Sequence, residues 1–130
     1  MKITKFLPWL IFAIILIADQ ALKWFIIKNQ SGLVLDNDRL FFGFVGNNVI
    51  ALTTSILALV GFWLIVFRKD SNYLALSLIF GGAFSNIVDR IFRGGVVDYL
   101  NVLYWSINLA DIAIVAGIVW YGYSLFASKK

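Results

Sequence analysis

FLPWLIFAIILIADQALKWFII, Phe6–Ile27, decides how the chain is to be read. It is long enough to cross a bilayer as one helix, since a span takes roughly 17–25 apolar residues. Yet it carries Asp19 and Lys23 near one end. Ionisable groups inside a span are costly and usually face a protein interior or a wet cavity. At i,i+4 these two share a helix face and can pair. Pro8 lies near the start, where a missing amide costs least. Lys2 and Lys5 followed by Phe6–Ala18 would also suit a cleaved leader. Apolar character resumes at Trp24-Phe25-Ile26-Ile27 with no small-residue cleavage site, so a retained span is expected.

The rest of the chain repeats this pattern. Further apolar runs cover about Val49–Phe67, Tyr73–Val88 and Trp105–Phe126. The 130 residues are 62% hydrophobic and 14% charged, with a mean hydropathy of +0.90. A soluble domain of this size could not hide so much apolar surface. We therefore expect one integral-membrane domain over residues 1–130: all-α, four transmembrane helices (6–27, 49–67, 73–88, 105–126) and a small extended or β element on the outer side. Residues 28–48, with a turn-like Asp36-Asn37-Asp38-Arg39 between short apolar stretches, are one source of that element. Val96-Val97 after Gly94-Gly95 reads as a tight turn into a partly buried strand.

Basic residues set the orientation. Lys2, Lys5, Arg68, Lys69, Lys129 and Lys130 would share one side with a single acid, Asp70. The other six acids fall at or beyond the opposite face. Both termini are thus expected in the cytoplasm. The net charge of +4 and pI near 9.5 come from scattered span-end charges rather than a basic stripe, so no nucleic-acid partner is expected.

The polar inventory limits the chemistry. The chain has no His, no Cys and no Glu; all seven acids are Asp. Thiol chemistry, a Ser-His-Asp triad and Cys/His metal sites are excluded. Four polar groups remain at span edges: Asp19-Gln20 with Lys23; Asn86 with Asp89-Arg90; Asp98; and Asn108 with Asp111. Read alone, the first suits an ion pair orienting its helix, and Asp89-Arg90 a helix end with an interfacial ion pair. Asp98 suits a turn, and Asp111 a first-turn acid favoured by the helix dipole. Asp98 and Asp111 flank one short connection that can bring them together. Two neighbouring carboxylates share a proton, so one can activate water while the other protonates a carbonyl. A Ser85–Lys23 nucleophile pair and a transporter relaying ions through its Asp residues are the rival readings. The transporter expects acids spread through the membrane depth.

These motifs together resemble a known family, the bacterial lipoprotein signal peptidases (signal peptidase II). Asp19-Gln20-Ala21-Leu22-Lys23 is similar to its DQ-x-x-K motif. Gly81-Gly82-Ala83-Phe84-Ser85-Asn86-Ile87-Val88-Asp89-Arg90 is similar to GGA-x-x-N-x-x-DR. Gly95-Val96-Val97-Asp98-Tyr99 is similar to G-x-VVD-F, and Ile107-Asn108-Leu109-Ala110-Asp111 to FN-x-AD. The resemblance implies a membrane-embedded aspartic protease of the bacterial cytoplasmic membrane, active near the outer leaflet. It would cut signal peptides from prolipoproteins just before a diacylglyceryl-modified cysteine. Asp98 and Asp111 would be catalytic. Asn86, Arg90, Asn108 and Asn47 would bind substrate, and Asp19, Lys23 and Asp89 would support them. No metal or cofactor is implied; membrane lipids and cyclic peptide inhibitors of the globomycin type are. The sequence departs from the family at Gly46-Asn47-Asn48-Val49-Ile50-Ala51-Leu52, which lacks the Arg and first Gly of RN-x-GAAF. It also has Ser85 where Gly is common, and a shortened segment between Asp98 and Asp111. An inactive family member is a further alternative.

Overall fold

The structure, a computed structural model, describes residues 3–29, 35–37, 48–66 and 72–128. Its helices are α1 (Ile3–Asn29), α2 (Asn48–Val66), α3 (Tyr73–Arg93) and α4 (Leu109–Ala127). Short strands β1 (Leu35–Asn37), β2 (Val96–Asp98), β3 (Leu100–Val102) and β4 (Trp105–Ile107) gather near one end. α1, α3 and α4 are each long and apolar enough to cross a membrane. The apolar stretch of α2, Val49–Leu64, is shorter.

α3 is central and touches each of the other three helices. Glycines permit the approach, because the backbone of one helix can then lie against the next. A Cβ on Gly81 would sit 3.1 Å from the Phe12 carbonyl oxygen of α1. One on Gly117 of α4 would sit 2.7 Å from the Ala75 carbonyl oxygen of α3. Ala110, Ala113 and Gly117 form the buried stripe of α4, while Ala116 is exposed. At the end away from the strands, Leu76 and Ile79 make an apolar core with Phe62, Phe80 and Tyr121.

The outside of the bundle is oilier than much of its inside. Trp9, Ile17, Leu57, Leu64 and Val119 are exposed, whereas Asp19, Lys23, Ser85, Asp89 and Asn108 are fully buried. That inversion is what a lipid-solvated bundle with a polar site requires.

Several boundaries differ from the sequence reading. Pro8 lies inside α1, because the helix begins at Ile3. α3 runs past Val88 to Arg93, where Gly94 stops it in the left-handed conformation (φ 79°). The fourth helix starts at Leu109, not Trp105: Trp105–Ile107 pairs with Leu100–Val102 as an antiparallel hairpin. Apolar periodicity cannot separate a short strand from the first turn of a helix. Asp36 and Asn37, read as a turn, belong to β1, which pairs with Val96–Asp98. Long-range pairing there overrides local turn preference.

Candidate functional site

The site forms where α1, α3 and α4 meet the strands. Its base is an ion cluster around Lys23. The ammonium lies 2.6 Å from Asp19 Oδ2 and 2.6 Å from Asp89 Oδ2, all three side chains fully buried. It also donates to Asn86 Oδ1 at 3.1 Å. The i,i+4 pair expected within α1 is therefore present, and α3 adds a second carboxylate. A buried ion pair stands only when its remaining valences are met. Here Asp19 also accepts from Ser85 Oγ (2.6 Å), the Ala110 amide (3.1 Å) and the Tyr99 hydroxyl (3.3 Å). Asp89 accepts from Gln20 Nε2 (2.9 Å) and the Val97 amide (3.2 Å) and pairs with Arg93.

Above this base lie two side-chain amides. Asn108 is the N-cap of α4, accepting from the Asp111 amide at 2.9 Å, while Asp111 Oδ2 accepts from the Asn108 amide at 3.2 Å. This reciprocal capping box follows from the i,i+3 spacing. The remaining first-turn amides of α4 are met from outside it: Leu109 donates to the Tyr99 hydroxyl (3.0 Å) and Ala110 to Asp19. The start of α4, and with it Asp111, is thus pinned by α1 and by the residue following Asp98.

Asn86 and Asn108 join the two carboxylates. Asn108 Nδ2 donates to Asp98 Oδ1 at 2.8 Å and to Asn86 Oδ1 at 3.1 Å. Asn86 Nδ2 donates to Asp111 Oδ1 at 2.8 Å. Asp98 is nearly fully buried and Asp111 half-buried. Arg90, buried beside them, donates to the Asn86 carbonyl at 3.3 Å and lies within electrostatic reach of Asp111, Asp98 and Asp89. Burial holds the Tyr99 phenol well above the usual tyrosine range, reinforced by Asp19 and Asp111 and opposed by the Leu109 amide.

Eight residues singled out in the sequence thus converge: Asp19, Lys23, Asn86, Asp89, Arg90, Asp98, Asn108 and Asp111. Asn47 lies outside the described residues. Sequence reasoning assigned no supporting role to Gln20, Ser85, Arg93 or Tyr99. Arg93 had a local signal, its i,i+4 spacing from Asp89; the others find partners on different helices. Ser85 donates to Asp19 and accepts from Gln20 at 2.8 Å, while Lys23 is held between carboxylates. A Ser–Lys pair needs the serine hydroxyl to donate to the lysine; here it donates to Asp19.

Known proteins share this chain's pattern. Residues 11–127 match the family model described as Signal peptidase (SPase) II. A "Lipoprotein signal peptidase" of Xylella fastidiosa is 46% identical over 88 residues, covering 62% of this chain and 53% of that protein. The match thus spans about half the length of the Xylella relative. Another so named, from Thermodesulfovibrio yellowstonii, is 34% identical over 131 residues, covering 85% of this chain and 88% of that one. A bacterial membrane enzyme solved by the in meso method at 2.3 Å resolution shares the fold, with a TM-score of 0.73 and 24% identity over 95% of this chain and 89% of that one. From the match to the family model over residues 11–127 and to the Thermodesulfovibrio relative, the chain belongs to the signal peptidase II family.

Proposed function

We propose that this chain is a membrane-embedded aspartic endopeptidase that removes signal peptides from diacylglyceryl-modified prolipoproteins. It cuts the bond before the lipid-modified cysteine. The observation that carries the reading is the pair Asp98 and Asp111, each within 2.8 Å of an amide of the hydrogen-bonded Asn86–Asn108 unit. α2 completes a four-span bundle, both termini lie in the cytoplasm, and the site opens near the outer leaflet of the bacterial cytoplasmic membrane.

Charge balance supports the chemistry. Four carboxylates, Asp19, Asp89, Asp98 and Asp111, face three cations, Lys23, Arg90 and Arg93. One proton shared by Asp98 and Asp111 makes the cluster neutral, which a low-dielectric site favours. The ionised member of the pair takes a proton from water as its oxygen attacks the scissile carbonyl carbon. The protonated member passes its proton to the carbonyl oxygen, giving a tetrahedral gem-diol. On collapse the C–N bond breaks: the protonated member gives its proton to the departing cysteine nitrogen while the ionised member takes one from a gem-diol hydroxyl as the carbonyl reforms, which restores the singly protonated pair. Asn86, Arg90, Asn108 and Asn47 hold the substrate backbone; Asp19, Lys23 and Asp89 hold those residues in place. Cyclic peptides of the globomycin type would compete for the same cleft.

The test is purified protein with a diacylglyceryl-modified prolipoprotein, the products read by mass spectrometry. The reading expects one new amino terminus, at the modified cysteine. No cleavage, or cleavage elsewhere, would overturn it.

A further inference from the structure

The hairpin joining Asp98 to Asp111 has a feature the proposed reaction does not use. Its cross-strand pairs are Leu100 with Ile107, Asn101 with Ser106, and Val102 with Trp105. Paired residues share a face and alternate along the ribbon. One face therefore carries Leu100, Val102, Trp105 and Ile107. The other carries Asn101 and Ser106, whose side chains satisfy each other: Ser106 Oγ donates to Asn101 Oδ1 at 2.8 Å. The ribbon is amphipathic, and residues 99–110 hold no charge.

Its tip is apolar as well. Leu103 and Tyr104 are 91% and 99% exposed, and Trp105 is 54% exposed. Leu103 has φ 56°, the one positive-φ non-glycine among the described residues. Hairpin turns of this kind favour Gly or Asn, and a branched side chain there costs free energy. An isolated two-stranded ribbon is marginal in water, and this one would present an oily edge to it.

The hairpin's place in the fold identifies what covers it. α4 begins two residues after β4 and runs for 19 residues, a length of about 28 Å that nearly matches the roughly 30 Å of the hydrocarbon. The ribbon therefore leaves the bundle at the border of hydrocarbon and headgroups. The helix ends nearest to it along the chain are exposed and apolar too: Ile91 and Phe92 at the end of α3, and Ile112 and Val115 at the start of α4. Tyr and Trp favour that depth. We infer that the β3–β4 hairpin is an interfacial anchor, inserted by Leu103, Tyr104 and its Leu100–Val102–Trp105 face into the lipid of the leaflet nearest the site. It ties the Asp98–Asp111 connection to the bilayer surface.

This inference rests on the membrane-spanning reading, and the test separates the two. The chain has no cysteine, so single Cys substitutions carry a nitroxide label without background. We would scan positions 100–107 in phosphatidylcholine/phosphatidylglycerol vesicles, reading relaxation by oxygen and by a water-soluble nickel chelate. Ile118→Cys on the exposed side of α4 serves as bilayer reference. The inference expects labels at 102, 103, 104 and 105 to favour oxygen, and those at 101 and 106 to favour nickel. Nickel access at 103 and 104 equal to that at 101, with 118 still in lipid, would overturn it. So would labels at 103 and 104 shielded from both reagents, which would point to a second copy or another protein. A water-exposed label at 118 would instead overturn the spanning reading.

Discussion

The most exacting prediction concerns one methyl group. Gly82 lies where α3 crosses the start of α4. A Cβ there would sit 2.9 Å from Ile114 Cγ1 and 3.1 Å from the Ala110 carbonyl carbon, with the Ala110 oxygen closer still. Ile114 can rotate away; the Ala110 backbone cannot, because its amide is bonded to Asp19 and the next residue is Asp111. Restoring ordinary contact moves the start of α4 by about 1 Å, an overpacking that typically costs about 1–3 kcal/mol. The same movement stretches the 2.8 Å bond from Asn86 Nδ2 to Asp111 Oδ1, beyond useful hydrogen-bond length. A misplacement of about 1 Å at a reacting group costs about 10²-fold in rate. Gly82→Ala should therefore fold, melt at lower temperature in detergent, and lose about 10²-fold in kcat on lipidated precursor. Gly122→Ala, where nothing lies within 4 Å of the new methyl, should leave both unchanged. A Gly82→Ala protein with the kcat and melting temperature of the parent would refute the close α3–α4 packing from which this is argued.

Other predictions follow from the same geometry. Lys23→Met leaves Asp19 and Asp89 buried without the ammonium between them, and should cost about 3–5 kcal/mol in stability; a thermal melt matching the parent's would contradict the buried ion cluster. Because the fold holds the Tyr99 phenol protonated above its ordinary value of 10.0, its contribution to stability is complete below about pH 10. It is lost as pH climbs above that value, where the unfolded chain ionises and the fold does not. The melting temperature of the parent should fall more steeply than that of Tyr99→Phe in that alkaline range; parallel curves would rule the effect out. Tyr99→Phe also removes the acceptor of the Leu109 amide and a donor to Asp19. It should lower kcat with little change in KM, whereas a raised KM at constant kcat would assign the hydroxyl to substrate binding.

Much of the site can be read along the chain because its contacts are local. Asp19 and Lys23 at i,i+4 pair, and Asn108 and Asp111 at i,i+3 close a capping box. What sequence spacing does not encode is which helix faces which. That Lys23 also holds Asp89, and that Ser85 and Tyr99 both turn their hydroxyls to Asp19, depends on the glycine-mediated approach of α1 to α3 and α3 to α4. Likewise β1 pairs with β2 across some sixty residues of chain, drawing Asp36-Asn37 out of a turn and into a strand. Trp105–Ile107 continues the oily pattern of α4, and only the cap at Asn108 marks where helix replaces ribbon.

The central claim, that Asp98 and Asp111 act together on water, is tested most directly by replacing each with its neutral isostere. Asp98→Asn and Asp111→Asn should each remain helical and bind lipidated precursor. Each should lose about 10²–10⁴-fold in cleavage rate, and the double variant should fare no worse than the poorer single. Cleavage at the parent's rate by either variant would contradict the account.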